Sequence, residues 1–153
     1  MKKKNISNSE SYIRMYTQMA RIRAFEDQAN KLYLSAKMPG LTHMYSGQEA
    51  VAVGICEALK TTDHITSTHR GHGHCVAKGA EFKQMFCELL GKEEGYCRGK
   101  GGSMHIADQE NGNLGANAIV GGSAGIATGA ALSAKNLNRD DVTVCFFGDG
   151  ALG

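Results

Sequence analysis

The first part of the chain carries apolar and polar residues in a helical pattern. Between residue 9 and about residue 37, apolar residues recur at steps of three and four, and charged residues fall on the opposite face. The apolar positions are Tyr12, Met15, Tyr16, Met19, Ile22, Phe25, Ala29, Leu32 and Tyr33. The charged positions are Arg14, Arg21, Glu26 and Lys31. Pro39 and Gly40 follow, so the pattern predicts one long amphipathic helix that ends before them.

A second helix is predicted from a capping motif. The segment from Ser46 to Glu49 matches a capping box, in which the serine hydroxyl and the glutamate carboxylate bind free amides of the first helical turn. The helix is expected to run to about residue 59. Its inward positions are expected to be Val51, Ile55, Ala58 and Leu59.

Two more helices are predicted in the second half of the chain. The first runs from about residue 81 to residue 90 and stops at Gly91. Its apolar positions are Phe82, Met85, Phe86 and Leu89. The other runs from residue 123 to about residue 136 and carries small residues at Gly121, Gly125 and Gly129. Glycines four residues apart allow the backbone of another helix to approach closely.

Two runs of residues predict strands and, with the helices, the fold class. The run His64–Thr68 is rich in β-branched residues, and residues 142–147 are apolar almost without alternation, as expected of a central parallel strand covered on both faces. The order of helices and strands predicts an α/β fold, an open parallel sheet with flanking helices. Ligands of such sheets bind beyond the carboxyl ends of the strands, which is where Asp149 lies between Gly148 and Gly150.

The composition is that of a single soluble domain. The 153 residues are 42% hydrophobic and 21% charged, and the net charge of +2 is too small to indicate nucleic-acid binding. The basic residues 2–4 are interpreted as part of a flexible tail, residues 1–8, that precedes one domain, residues 9–153. Polar residues stand where a secretory signal needs an apolar region, and no run is long enough to cross a membrane. No membrane association and a cytoplasmic location are therefore expected.

The histidines and cysteines leave several interpretations open. The five cysteines are odd in number and widely spaced, which indicates reduced thiols. Four residues close in sequence are candidate zinc ligands, namely His69, His72, His74 and Cys75. Arg70 lies among them and would repel a cation, but a guanidinium in a glycine-rich stretch is a good anion clamp. A solvated polar turn is the third alternative.

Two glycine-rich stretches are candidate phosphate sites. Asp149 between two glycines suits a magnesium ion on a diphosphate, because a carboxylate is a hard oxygen ligand and glycines expose backbone amides. A simple turn is the alternative. Residues 98–105 lack the P-loop order of Gly, Lys and Ser/Thr, which disfavours a nucleotide triphosphatase. His43 lies among apolar neighbours between two predicted helices and is either structural or catalytic.

Five segments, read in order, resemble the α subunit of thiamine-diphosphate-dependent E1 dehydrogenases that act on pyruvate, acetoin or branched-chain 2-oxo acids. The segments are residues 43–50, 68–74, 99–105, 115–121 and 146–151. The resemblance extends over about residues 10–153. It implies the thiamine-diphosphate-binding fold of the E1 α subunit, with thiamine diphosphate and Mg²⁺ as cofactors.

The resemblance also implies which residues contact the cofactor. Asp149 is expected to be the first protein ligand of the magnesium ion, with Gly150 and Ala151 giving backbone contacts to the diphosphate. His69 and Arg70 are expected to face the diphosphate.

Further roles are implied away from the metal. Val120 and its neighbour Ala118 are expected to line the aminopyrimidine side of the cofactor. His43 is expected to be catalytic and to approach the 2-oxo acid near its reactive carbon. The helix from Gly121 to Gly129 is expected to pack against its copy in a second α subunit.

The activity implied by the resemblance is oxidative decarboxylation of pyruvate, with acyl transfer to the lipoyl group of an E2 component. In this family the glutamate that activates the aminopyrimidine comes from a β subunit. An α2β2 heterotetramer is therefore implied, and the isolated chain is expected to be inactive. The alternatives are an acetoin dehydrogenase α subunit and a catalytically inactive, truncated assembly fragment.

The sequence departs from the family pattern at several positions. His69 stands where many members have tyrosine, and acetoin-type members have histidine. Ala118 replaces a usual glycine, so strain is expected if its φ is positive. Ala124 and Gly125 lack a common proline. The chain stops at Gly153, where members continue with the second metal ligand, so an N-terminal fragment with impaired cofactor binding and an exposed last strand is expected.

Overall fold

The computed structural model describes residues 8–153, so the predicted tail lies, apart from Asn8, outside the described residues. In chain order the elements of this range are α1 Asn8–Leu34, α2 Glu49–Cys56, β1 His64–Thr68, α3 His72–Lys78, α4 Phe82–Leu89, β2 Asn113–Asn117, α5 Gly122–Asn136, β3 Thr143–Cys145 and a 3-10 helix, Asp149–Leu152. No helix within the described range combines the length and apolar character needed to cross a membrane.

The three strands of the described range form one parallel sheet in the order β2, β1, β3. Ile65 in the central strand β1 pairs with Asn113 of β2 and with Val144 of β3. This arrangement confirms the prediction of an open parallel α/β sheet with flanking helices. Strand β3 is shorter than the predicted run 142–147, half-buried and paired on one side only in the described range, which contradicts a central strand and agrees with the expected exposed last strand.

Helix α1 packs the core through fewer residues than the pattern predicts. Ile22, Phe25 and Ala29 are buried, whereas Tyr12 and Tyr16 are 63% and 70% exposed. Met15 and Met19 pack partly against this core, so the two tyrosines lie beside the buried stripe of α1 and not on it.

The predicted capping box at the start of helix α2 is wrong. Its N-cap is Gln48, without a side-chain capping bond, and Ser46 is exposed. The carboxylate of Glu49 instead accepts the amide N–H of Gly47, at 3.1 Å, and the Nε–H of Arg23, at 2.7 Å. Burial alone would raise the pKa of Glu49, but these donors outweigh it and hold the pKa below its ordinary value.

The inward face of α2 also differs from the prediction. Ala52, Val53 and Cys56 are buried, and the helix ends at Cys56 instead of residue 59. Val51 and Ile55, which were expected to face inward, are 56% and 42% exposed. The wrong face was inferred because every residue of this short helix after Glu49 is apolar or glycine, so its sequence does not define a single stripe.

Helix α3 and strand β2 are not predicted from the sequence. Helix α3 contains Gly73 and two histidines, residue types that favour loops, and β2 reads Asn-Leu-Gly-Ala-Asn without β-branched residues. Tertiary packing determines α3: a Cβ on Gly73 would lie 2.0 Å from Cδ1 of Tyr45. The ring of Tyr45 therefore rests directly on the α3 backbone.

We expect Gly73→Ala to destabilise the protein by about 1–3 kcal/mol, because the new methyl group displaces the buried ring of Tyr45. Gly54→Ala is the matched control, since Gly54 lies in α2 with no atom within 4 Å of an added Cβ. Alanine there should stabilise the helix by about 0.5–1 kcal/mol. Urea unfolding followed by circular dichroism measures both changes, and equal stabilities of the two variants would contradict this account.

Helix α5 confirms the predicted helix of small residues. Ala127 and Ala134 face the rest of the domain, while a Cβ at Gly125 or Gly129 would meet nothing within 4 Å. The glycine face of α5 is therefore open. Whether a second α subunit covers it remains a prediction.

Candidate functional site

A cleft of about 350 Å³ opens at the carboxyl ends of the three strands. Thr68 and His69 reach it from the end of β1, Asn117 from the end of β2, and residues 146–151 from the segment after β3. Parallel strands bring their carboxyl ends to one edge of the sheet, so residues far apart in sequence meet there. This edge is where open α/β sheets bind their ligands.

Most of the residues expected at the cofactor lie in this cleft. The predicted residues that line it are His69, Val120, Asp149, Gly150 and Ala151.

Three predicted residues do not line the cleft. His43 lies behind His69, with the two ring centroids 5.0 Å apart and the rings perpendicular. Arg70 points towards the segment that carries His43, because its Nη1 donates to the carbonyl oxygen of Met44 at 2.7 Å. Ala118 is half-buried beside the cleft. Its φ is not positive, so alanine adopts this backbone conformation without strain.

Asp149 is placed to bind a cation. It is exposed in the cleft, and its carboxylate has no hydrogen bond or ion pair within residues 8–153. The glycines on either side, Gly148 and Gly150, leave open space around the backbone. A free carboxylate between two uncovered peptide segments fits a hard cation together with the oxygens of a diphosphate.

The turn between β2 and α5 forms one wall of the cleft. Gly121 begins α5 with a φ of 76°, which favours glycine, and the side-chain oxygen of Asn117 accepts the amide N–H of Ile119 at 2.9 Å. A Cβ on Gly122 would lie 2.8 Å from the side-chain nitrogen of Asn117. The turn is thus fixed, and it leaves Ile119 and Val120 72% and 70% exposed as an apolar wall.

The base of the cleft is supported by His74, a buried histidine that was expected only as a candidate zinc ligand. The ring of Phe146, which lines the cleft, stacks on His74 at 3.8 Å. Ser67 and Tyr45 hydrogen-bond to Nδ1 and Nε2 of His74, at 2.7 and 3.0 Å. Burial lowers the pKa of His74 to about 3, so its ring is neutral and one nitrogen accepts while the other donates.

His69 presents a neutral ring to the cleft. Burial first, and then the neighbouring His43 and Arg70, lower the pKa of His69 below its ordinary value. At neutral pH it therefore acts as a hydrogen-bonding group without a positive charge.

The zinc interpretation is not supported by the geometry. His72 and His74 lie in α3, where both ring nitrogens of each are hydrogen-bonded to protein side chains. The Sγ of Cys75 accepts from Asn113 at 3.0 Å, and burial raises the pKa of this thiol to about 12. Across residues 8–153, no three or more His, Cys, Asp or Glu side chains converge as a metal site. These residues stabilise the core instead.

The second glycine-rich stretch is likewise occupied by the protein itself. The amides of Cys97, Gly99, Gly101 and Gly102 donate to the buried carboxylate of Glu88, at 2.7 to 3.0 Å. These amides are unavailable to a phosphate. The stretch is a structural loop that binds an internal anion.

The fold and the cleft define an α/β protein with a ligand site at the carboxyl edge of a parallel sheet. The model of the Dehydrogenase E1 component family matches residues 17–153, and the chain belongs to this family.

Similar curated proteins are E1-type α subunits. The chain is 53% identical over 152 residues to the α subunit of acetoin:2,6-dichlorophenolindophenol oxidoreductase of Bacillus subtilis (strain 168), a match covering 99% of this chain and 46% of the relative. It is 43% identical over 147 residues to pyruvate dehydrogenase E1 component subunit alpha-3, chloroplastic, of Arabidopsis thaliana, covering 92% of this chain and 34% of the relative. The chain thus spans less than half the length of these relatives.

Proposed function

We propose that this chain is the cofactor-binding part of the α subunit of a thiamine-diphosphate-dependent E1 dehydrogenase. The observation that carries the proposal is the free carboxylate of Asp149, set between two glycines in a cleft at the carboxyl edge of the sheet. Membership of the Dehydrogenase E1 component family supports the same cofactor.

In this proposal Asp149 binds Mg²⁺, and the backbone at Gly150 and Ala151 contacts the diphosphate. His69 offers a neutral ring to the same end of the cofactor. Arg70 does not line the cleft, and it would reach the diphosphate with guanidinium N–H groups other than the one that binds Met44. When bound, thiamine diphosphate supplies the electron sink for breaking a carbon–carbon bond.

The remaining residues orient the reactants and exclude water. Val120, with Ala118 beside it, gives an apolar wall to the aminopyrimidine. The Nδ1 of His43 is buried and has no hydrogen-bond partner among the described residues. An unsatisfied buried nitrogen next to a cleft is a feature of functional sites, and it supports a role of His43 in binding a polar group of the substrate.

The substrate in this proposal is either the 2-oxo acid pyruvate or acetoin. The family resemblance put pyruvate first and acetoin as the alternative, whereas the identity of 53% to an acetoin-oxidising relative, against 43% to a pyruvate dehydrogenase relative, favours acetoin. The histidine at position 69 supports acetoin as well. For pyruvate, the acyl group would pass to a lipoyl group on E2.

The partners in this proposal are a β subunit and a second α subunit, in an α2β2 assembly located in the cytoplasm. The open glycine face of α5 and its exposed residues Ile126 and Leu132, 45% and 55% exposed, support packing against another subunit. The same surface supports the second candidate function, an assembly fragment without catalysis. Size-exclusion chromatography with the β subunit followed by a turnover assay of the complex separates the two, since the second candidate requires a complex without turnover.

The test of the cofactor is calorimetric titration of the chain, mixed with its β subunit, in the presence of Mg²⁺. Thiamine diphosphate is expected to bind more tightly than thiamine without the diphosphate, because Asp149 acts on the diphosphate through the metal. A form extended by the residues that the longer relatives carry serves as the positive comparison. If thiamine diphosphate bound to neither form, the proposed cofactor would be wrong.

A further inference from the structure

The segment of residues 41–45, which carries His43, has no regular secondary structure but is anchored on both sides of this histidine. Thr42 shares a hydroxyl–hydroxyl hydrogen bond of 2.9 Å with Ser103. The carbonyl oxygen of Met44 accepts from Arg70, and the hydroxyl of Tyr45 meets His74 at 3.0 Å. Side-chain hydrogen bonds therefore hold this segment, which has no backbone hydrogen bonds of a helix or a sheet.

The Thr42 anchor continues into the core as a chain of hydrogen bonds. The Oγ of Ser103 lies 2.9 Å from Nε2 of His72, and Nδ1 of His72 lies 3.0 Å from the carboxylate of Glu26 in α1. Glu26 and His72 are fully buried and Ser103 is 5% exposed. The helical pattern of α1 places Glu26 among the charged residues opposite its apolar face, so the burial of Glu26 requires another explanation.

The donors and acceptors of this chain have one consistent direction. With Glu26 as a carboxylate, which only accepts, and His72 as a neutral ring, His72 donates through Nδ1 and accepts through Nε2. The hydroxyl of Ser103 then donates to His72, and the hydroxyl of Thr42 donates to Ser103. Each group has a defined orientation, and linked hydrogen bonds in a low-dielectric core strengthen one another.

The end of the chain is next to the cleft. Thr42 precedes His43, whose ring lies perpendicular to the ring of His69 at 5.0 Å, and His69 lines the cleft. A rotation of the Thr42 backbone would move His43 away from this contact. Burying these polar groups costs desolvation free energy, and their hydrogen bonds fix the position of the His43 ring.

We propose that Glu26, His72, Ser103 and Thr42 act as a positioning network that holds His43 against His69 at the edge of the cleft. None of the four touches the reacting atoms, so they are positioning residues. The role of His43 towards substrate rests on the proposed function, whereas its position is testable without cofactor or substrate.

The test is the ring-to-ring nuclear Overhauser contact between His43 and His69 in the full 153-residue chain, labelled at histidine. Thr42→Val keeps the shape of the side chain but removes the hydroxyl, and we expect it to abolish this contact while the amide spectrum of α1 and β1 stays unchanged. Thr42→Ser keeps the hydroxyl and should retain the contact. The control is Thr61→Val, at an exposed threonine in a turn.

Ser103→Ala interrupts the network one step further in and should have the same effect as Thr42→Val. An intact His43–His69 contact in folded Thr42→Val or Ser103→Ala would overturn the proposal, and so would its loss in Thr42→Ser. In the assembled enzyme, Thr42→Val should lower kcat at least tenfold with a smaller change in KM, and Thr42→Ser should restore kcat. Absence of cofactor binding would refute the proposed function and leave the spectroscopic result intact.

Discussion

Replacing Glu88 with alanine is expected to lower the free energy of unfolding by about 3–5 kcal/mol. The carboxylate of Glu88 is fully buried and accepts the backbone amides of Cys97, Gly99, Gly101 and Gly102. Alanine would leave these donors without an acceptor where water does not reach. Charge-assisted bonds of this kind are roughly twice as strong as neutral ones, so their joint loss is large.

Urea unfolding monitored by circular dichroism measures this loss. Glu93→Ala is the matched control, because Glu93 is exposed in the same part of the chain and should change stability by less than about 0.5 kcal/mol. Glu88→Gln should fall between the two, since its amide oxygen still accepts but its NH₂ group faces N–H donors. A Glu88→Ala protein as stable as Glu93→Ala would show that the loop does not depend on this carboxylate.

The glycines of the loop follow from the same arrangement. A Cβ on Gly95 would lie 2.5 Å from the carboxylate of Glu88, and Gly99 has a φ of 70° and contacts the backbone of Gly91. The loop leads directly to Ser103, a member of the network behind His43. Loss of the Glu88 carboxylate is therefore expected to disturb His43 as well as overall stability.

The sequence predicted those helices and strands whose own residues show a clear hydrophobic period or a high β propensity. Helices α1, α4 and α5 have helical periodicity over enough residues to be placed from the sequence, and β1 has β-branched residues. Helix α3 and strand β2 are determined by distant partners. Gly73 is helical because Tyr45 packs on it, and Asn113 is in a strand because β1 pairs with it.

Buried charges were the second group of features that the sequence did not reveal. Glu26 and Glu88 stand at positions where a helical pattern admits a solvated face, and their partners are respectively 46 residues and between 9 and 14 residues further along. Neither distance corresponds to a motif. The partners of Glu26 and Glu88 were therefore interpreted differently: His72 as a zinc ligand, and residues 98–105 as a phosphate loop.

The candidate site was predictable where a motif follows a strand. Asp149 and Gly150 come directly after the apolar run that contains β3, so they were expected at the carboxyl edge, whereas His69 was expected at the diphosphate only from the family resemblance. The stack of Phe146 on His74 and the turn held by Asn117 were not, because each depends on contacts between segments that no sequence spacing connects.

Replacing Asp149 with alanine is expected to weaken binding of thiamine diphosphate with Mg²⁺ at least about 100-fold, because under the proposed function it removes a direct metal ligand, and loss of an outer-shell partner already costs 10–100-fold. The side chain is exposed and without internal partners in the described chain, so stability should change by less than about 0.5 kcal/mol. Asp140→Ala, at another exposed aspartate, is the matched control for charge.

Calorimetric titration of thiamine diphosphate into both variants, each with its β subunit and Mg²⁺, measures the difference. Asp149→Asn distinguishes charge from shape, because an amide oxygen still reaches the metal but lacks the negative charge that a hard divalent cation prefers. It should bind more tightly than Asp149→Ala and less tightly than the native chain. If Asp149→Ala bound as tightly as Asp140→Ala, the metal would lie elsewhere, and the cleft at the carboxyl edge of the sheet would no longer support the proposed cofactor.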